Sequence, residues 1–473
     1  MKRLTLILLP LAIAGCCGTA PRDNGYVVNC DRSAREEIAE NPAKALSLCQ
    51  TYPAEEACQP PAPKGYEPFY ISHYSRHGSR FLHREDYYTD PYEVLEKAAA
   101  DGQLTELGES VRERIGRQFA QAKGKTGDFT QVAEKEHRGI AERMVLNYPA
   151  IFRRPGARVD SRSTTSARVV LSMAANNQRL KELCPGLTFT RSASDSYEAL
   201  GKKYPMVGRD SIYRISYAMV KNDIDIPTVA ARLFKDPSWV KNAPRFERDL
   251  WHIYYMVTNL GCLDIRDYDY NDLFDEDQMY VLWRAMNFLM HASCANSEFN
   301  GDEVLESAKP MLADIVERAQ AAIDSRPLPD PDGSNGEAVH AADLRFGHDV
   351  YLLPLAALIG AAGEYGSDPY EIDKVWRFYN IAPMAGNIQL VFFAPKKDVR
   401  MRERALLRGD ENPPALDNGK VLVQVLMNER AVKLAAPQNR GLLPAPEPVE
   451  ATLYKWAELK EWFDYLLKTE FVK

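Results

Sequence analysis

Tyr70-Ile-Ser-His-Tyr-Ser-Arg-His-Gly-Ser-Arg80 begins as a strand and ends as a cationic loop. Alternation puts Phe69, Ile71 and His73 on one face and Tyr70, Ser72 and Tyr74 on the other. The pattern then breaks into Arg76-His77-Gly78-Ser79-Arg80. Two guanidiniums flank one imidazole, and guanidinium forks match phosphate oxygens in a bidentate way. A neutral imidazole between them is a nucleophile aimed at the anion they hold. Gly78 reads as a point where backbone approaches a ligand closely.

Strand signals alternate with helix signals on either side of this stretch. Helices are expected over 34–49, 92–100, 105–121 and 132–147, and short strands over 158–161 and 187–191. Arg162-Ser-Thr-Thr-Ser-Ala-Arg168 links a strand to a helix start, which makes a second natural anion site. From about Tyr197 to Asp324 the texture is helical. The strand pattern then resumes: 341–346 runs into Gly347-His348-Asp349 and an apolar helix from Val350 to about Ala362. Segments 388–394 and 421–427 read as buried strands. An amphipathic helix over 451–472 closes the chain, with Leu453, Trp456, Leu459, Phe463 and Leu466 on one face. The pattern implies an α/β fold: a central, mostly parallel sheet flanked by helices, with a helical insertion domain. In such sheets ligands sit beyond the carboxyl ends of strands, which places the Arg76 loop and the His348 pair at one edge.

Length and export set the frame. The 473 residues are 45% hydrophobic and 26% charged, enough for a large core in one or two domains. The net charge of −7 argues against non-specific nucleic-acid binding, so the arginine cluster is a local feature. Residues 1–15 read as a secretory signal, too short to span a bilayer. Ile13-Ala14-Gly15-Cys16 resembles a bacterial lipobox, so a lipid on Cys16 is expected to anchor the protein in the cell envelope; the alternative is ordinary cleavage near Ala20. Export permits disulfides, and an odd number of cysteines remains beyond Cys16. The organisation expected is a tether and arm over 16–64, a first core part over 65–195, the insertion over 196–336 and a second core part over 337–473.

Arg76-His77-Gly78-Ser79-Arg80 early and Gly347-His348-Asp349 late resemble the two signatures of the histidine acid phosphatases, the branch of the histidine phosphatase superfamily that contains phytases. Arg162…Arg168 resembles the family's third arginine region. Leu344 to Leu355, Val423 to Glu429 and Glu136-His-Arg-Gly-Ile-Ala-Glu-Arg143 are similar to multiple inositol polyphosphate phosphatases. Two positions depart: Leu82 stands where many relatives have proline, and His348-Asp349-Val350 replaces the His-Ala-Glu common among inositol polyphosphate phosphatases. The general acid is therefore carried to Asp349.

The resemblance and the residue chemistry imply one scheme. His77 attacks phosphorus, Arg76, Arg80, Arg168 and His348 hold the phosphoryl oxygens, and Asp349 protonates the leaving oxygen. No metal or cofactor is expected, because the cations are side chains. The substrate implied is an inositol polyphosphate such as inositol hexakisphosphate, taken by a monomer. The alternatives are a broad phosphatase acting on sugar phosphates or nucleotides and a non-catalytic surface lipoprotein that captures phosphorylated nutrients. At several positions a plainer role competes. Asp349 also suits a helix cap; Arg162 competes with Arg168; His73 and His77, four apart, suggest a metal pair only weakly. His137 and Arg138 read as packing. His83, Arg84, Lys202 and Lys203 are candidates for contacting extra phosphates.

Overall fold

The computed structural model describes residues 32–194, 209–300, 303–328, 340–361, 367–410, 412–435 and 442–471. Residues 1–15, expected to be a signal, and Cys16, Cys17, Cys30, Lys202 and Lys203 lie outside the described residues. Among the described residues eight strands form one sheet: β1 (Tyr66–Arg76), β2 (Arg158–Ser163), β3 (Thr188–Ala193), β4 (Ala342–Gly347), β5 (Asn387–Pro395), β6 (Leu422–Met427), β7 (Arg430–Ala431) and β8 (Leu453–Lys455). Their order is β3-β2-β4-β1-β5-β6-β7, with β8 paired to β6. The ladders among β3, β2, β4 and β1 are parallel. Beyond β1 the sheet continues through antiparallel pairs with β5 and β6. The expected buried strands at 388–394 and 421–427 belong to this antiparallel half.

Parallel register is what assembles the site. Arg76 pairs with Gly347 at the end of the β1–β4 ladder, and Ser163 pairs with Phe346 at the end of β2–β4. The residues following β1, β2 and β4 therefore emerge side by side at one sheet edge.

Both faces of the sheet are covered. Ile71, Leu344, Phe346 and Val391 pack under helices Gln131–Asn147 and Ala167–Leu183, through Ile140, Met144, Val169 and Met173. Tyr70, Tyr74 and Phe392 pack on the other face with helices Glu303–Asp324, Asp349–Leu358 and Trp456–Lys468. Phe69 joins Tyr70 in that second cluster, against the expected alternation. The reason is a register shift between Pro68 and Tyr70, which breaks the period of two.

Between β3 and β4 the described elements are helical: Arg209–Asp223, Ile226–Leu233, Phe246–Asn259, Glu276–Cys294 and Glu303–Asp324, with short 3-10 turns between them. A capping box of Asp275 and Gln278 starts the fourth of these. The fifth lies against the sheet, where Arg318 reaches Asp160 at 3.0 Å and Asp343 at 2.7 Å.

Three expectations about elements are corrected. The arm is a helix, Ala34–Glu40, followed by a 3-10 stretch, Pro42–Cys49, because Pro42 disfavours helical backbone at Asn41. Leu453 lies in β8 rather than on the last helix, which begins at Trp456. The helix after His348 stops at Leu358, short of Ala362. Gly360 follows at φ +66°, and a Cβ there would come within 1.5 Å of the Ala435 carbonyl oxygen. No helix among the described residues is long and apolar enough to cross a membrane. Cys49, Cys184 and Cys262 are buried free thiols, and Cys294 is buried.

Candidate active site

The loop after β1 is held before any ligand arrives. The His77 N–H donates to the Gly347 carbonyl at 2.9 Å, and the His77 carbonyl accepts from Ala385 at 3.0 Å. Gly78 N–H donates to Ser172 Oγ at 3.1 Å. Glu136, buried, accepts from Ser79 N–H and Ser79 Oγ, both at 2.8 Å, and from Tyr52 N–H at 3.0 Å. The Ser79 carbonyl accepts from Thr130 N and Oγ1. A Cβ at Gly78 would sit 2.6 Å from Ala133 Cβ and 3.0 Å from Glu136 Oε2. Glycine is thus required by the helix Gln131–Asn147 pressing on the loop, not by a ligand as the sequence suggested. Gly347 has a comparable cause: a Cβ there would meet the Tyr74 hydroxyl at 2.1 Å.

His77, Arg80, Arg168, His348 and Asp349 line one pocket of about 490 Å³. His77 is 2% exposed. Its Nδ1 lies 2.8 Å from the Gly78 carbonyl, so Nδ1 carries the proton and Nε2 keeps its lone pair. Burial, followed by Arg76, Arg80, Arg168 and His348, drives its pKa well below the ordinary value. The ring is neutral, as a nucleophile must be. The His348 ring stands 5.5 Å from that of His77, and its pKa falls to about 4 through burial and then Arg168. Its Nε2 lies 3.4 Å from Thr164 Oγ1, in the turn after β2.

Three guanidiniums surround these rings. Arg76 is fully buried; Nη1 donates to the Ala382 carbonyl at 2.7 Å, and Nη2 to the Leu48 carbonyl at 2.9 Å. Arg80 Nη1 donates to the Phe81 carbonyl at 2.9 Å. Arg168 opens helix Ala167–Leu183, and its pKa is lowered to about 10 by burial and then by Arg80. The Nε–H groups of Arg76, Arg80 and Arg168 are buried without a protein partner. Leaving a buried donor unpaired costs about 1–3 kcal/mol. The three guanidiniums gather positive charge beside one imidazole, which suits an anion.

Asp349 lines the same pocket, with Oδ2 2.8 Å from Arg76 Nη2. Burial raises its pKa, but Arg76, His348 and Arg80 more than offset this and hold it below the usual carboxylate range. Asp349 is the first residue of its helix; the cap position is His348, and Asp349 Oδ1 accepts only its neighbour Val350 N–H. A capping role therefore does not account for it. Arg162 turns elsewhere: it pairs with Asp160 at 2.8 Å and Asp314 at 3.6 Å, outside the pocket lining.

His73 does not join His77; it is buried beside Phe346, as is His137. Among the described residues there are two acid–histidine clusters of metal-binding size, Asp86/Asp90/His252 and Asp160/His340/Asp343. Each already holds a guanidinium, Arg248 on Asp90 and Arg318 on Asp160 and Asp343. His83 lines the pocket, with its pKa lowered to about 4 by burial and then Arg80. Arg84 pairs with Asp86.

Sequence reasoning missed several contributors. Leu48 and Cys49 of the arm line the pocket. Glu136 carries the loop, a role visible only once its helix is placed. The family-like segments at 136–143 and 423–429 meet through Arg143 and Glu429, 2.6 Å apart, with Tyr52 Oη on the same carboxylate.

No protein-family model and no curated protein matches the sequence. Solved structures do. The multiple inositol polyphosphate phosphatase of Bifidobacterium longum, in complex with inositol hexasulfate, matches with a TM-score of 0.64 at 17% identity, over 89% of this chain and 97% of that one. Its phosphate complex matches with a TM-score of 0.61 at 18% identity, over 89% and 97%. The phytase from D. castellii matches with a TM-score of 0.61 at 10% identity, over 90% and 85%. At these identities the likeness is one of fold, and this chain shares the α/β fold of those phosphatases.

Proposed function

We propose that this chain is a metal-independent phosphomonoesterase that works through a phosphohistidine. The observation that carries the reading is the pocket in which the neutral imidazole of His77 with a free Nε2, Arg80, Arg168, His348 and the Asp349 carboxyl group face the same space, with the buried Arg76 paired to Asp349. Fold likeness to phosphatases supports it.

In the first step His77 Nε2 forms a bond to phosphorus as the bond to the leaving oxygen breaks. Arg76, Arg80, Arg168 and His348 hold the equatorial oxygens. Asp349 gives its proton to the leaving oxygen. It then takes a proton from the water that attacks phosphohistidine, and Nε2 leaves with its electron pair. The arginines keep Asp349 ionised in the free protein, so the proton it donates must be favoured by the negative charge of the bound phosphoryl group.

A second reading, inositol polyphosphates as the substrate, is favoured by likeness to a phosphatase solved with inositol hexasulfate. A further part of the proposal, export with a lipid on Cys16, rests on residues 1–16 of the sequence alone. The test is phosphate release from glycerol phosphate, glucose 6-phosphate and phytate, with and without a chelator. Chelator-insensitive release, abolished in His77→Ala, is expected. Binding without release would return the chain to the non-catalytic alternative.

A further inference from the structure

β5 runs antiparallel to β1, so Asn387 pairs with Ser75 beside the pocket while Pro395 pairs with Tyr66 at the start of β1. The length of β1, on the order of 30 Å, separates those two ends. Helix Lys396–Leu407 starts at the remote end, where Lys396 N–H donates to the Gly65 carbonyl at 3.0 Å. Its inner face is fixed. Val399, Arg402 and Ala405 are buried, Arg402 Nη1 donates to the Ala322 carbonyl at 2.8 Å, and the Arg402 guanidinium lies 4.8 Å from the centre of the Phe69 ring.

The outer face combines charge with exposed carbon. Lys397, Arg400, Met401, Arg404, Leu407 and Arg408 recur at helical spacing, and all six are exposed. Met401 is 50% exposed and Leu407 60%. Nine large hydrophobics are exposed among the described residues, and three of them, Met401, Leu406 and Leu407, belong to this one helix. Scattered singly they would need no explanation; gathered along a cationic stripe they do. The acids of the helix, Asp398 and Glu403, are partly buried and off the stripe. Arg400 lies 3.5 Å from Glu67 and Arg408 3.4 Å from Asp410, but both arginines stay more than half exposed, and such pairs are weak. With a net charge of −7 over the whole chain, the stripe is a local feature. Its chemistry suits a surface that sets anionic phosphates above hydrocarbon. Ammonium and guanidinium groups meet the phosphates while the Met401 and Leu407 side chains enter the acyl boundary. A soluble polyanion would use the cations and leave those two side chains in water.

We propose that helix Lys396–Leu407 docks this protein on an anionic lipid surface, with the pocket at the far end of the sheet. The contact goes beyond the phosphatase reading and uses none of the pocket residues. It is also separate from the lipid expected on Cys16: that lipid would hold the chain near a membrane, whereas the helix would set which way the domain faces.

The test is co-sedimentation of the full chain carrying Cys16→Ser, so that no lipid is attached. Vesicles are phosphatidylcholine alone or phosphatidylcholine with phosphatidylglycerol, and saturating inorganic phosphate occupies the pocket. Binding to the anionic vesicles and not to the neutral ones is expected, weakening as salt rises. Lys397→Gln combined with Arg404→Gln should weaken it by on the order of 10–30-fold. Met401→Ser combined with Leu407→Ser should weaken it by on the order of tenfold. All variants share one N-terminus, so the differences belong to the helix. Phosphate release should be the same in each, which keeps a failure of this proposal apart from a failure of the phosphatase reading. Equal binding to both vesicle types, or binding unchanged in the glutamine pair, would overturn the proposal. So would binding unchanged in the serine pair, because the stripe would then be a site for any polyanion, and heparin would bind it as tightly.

Discussion

Asp349 is paired with Arg76 and held ionised, yet the proposed chemistry needs its proton. Asp349→Asn should lower kcat by about 10²–10⁴-fold on alkyl phosphates, the range of general acid catalysis. The loss should be smaller on nitrophenyl phosphate, whose leaving oxygen needs little protonation. In the wild type the alkaline fall of kcat should lie at higher pH than that of kcat/KM, since bound phosphate raises the Asp349 pKa that the arginines lower in the free protein. Identical limbs would remove Asp349 as the acid. Glu136 invites a different test. Its two oxygens accept three hydrogen bonds, so Glu136→Gln turns one acceptor into a donor facing donors. We expect stability to fall by roughly 1–3 kcal/mol and kcat to fall more than KM changes. The arginines and histidines of the two signatures could be read directly, because their types state their chemistry. Glu136 could not, because a glutamate in an amphipathic helix looks the same whether it meets solvent or the loop after β1. Gly78 was legible as a necessary glycine, but its cause lay in Ala133, remote in sequence.

Strands and helices divide the labour. β1, β2 and β4 bring His77, Thr164 and His348 together because their parallel register ends together. Helices between β3 and β4 supply Tyr213, Tyr255, Leu289, Met290 and Ser293 to the pocket lining. The strand ends were legible because alternation stops abruptly at charged loops. The long helices were legible from their periodicity, with ends within a few residues. What failed were places where tertiary pairing overrode local pattern. Leu453 continues an amphipathic stripe, yet β6 offers it a ladder partner at Gln424. The arm read as a tether because its residues are small and polar, but its carbonyl at Leu48 binds Arg76. The contact between helix Gln131–Asn147 and the end of β6 gives an element-level prediction. Arg143→Ala leaves Glu429 buried without its cation and should destabilise the protein by about 3–5 kcal/mol in urea unfolding. A loss below 1 kcal/mol would mean that solvent or Tyr52 already satisfies that carboxylate.

The molecule as a whole pays for its neutral histidines in acid. His73 and His137 are buried, and burial is the first cause that lowers each pKa to about 3. Between that value and the unfolded value near 6.5, the unfolded chain binds protons that the folded chain refuses. Stability should therefore fall as pH drops from about 6.5 towards 3, by roughly 1.4 kcal/mol per pH unit for each such ring. The His137 ring nitrogens have no protein partner, so His137→Leu should flatten the slope without breaking a hydrogen bond. A slope unchanged in that variant would assign the acid sensitivity to other groups. The α/β class, with helices on both faces of the sheet, was legible from the order of patterns. The antiparallel half was not, since a run of buried apolar residues looks alike in either direction. Everything in the functional account passes through one covalent bond, between phosphorus and Nε2 of His77. Turnover should be quenched within milliseconds in alkali, which preserves phosphohistidine, and the peptides mapped by mass spectrometry. The account predicts a phosphoryl group on His77, more abundant in Asp349→Asn with nitrophenyl phosphate, where its hydrolysis is slowed. Active protein in which His77 is never phosphorylated would contradict it.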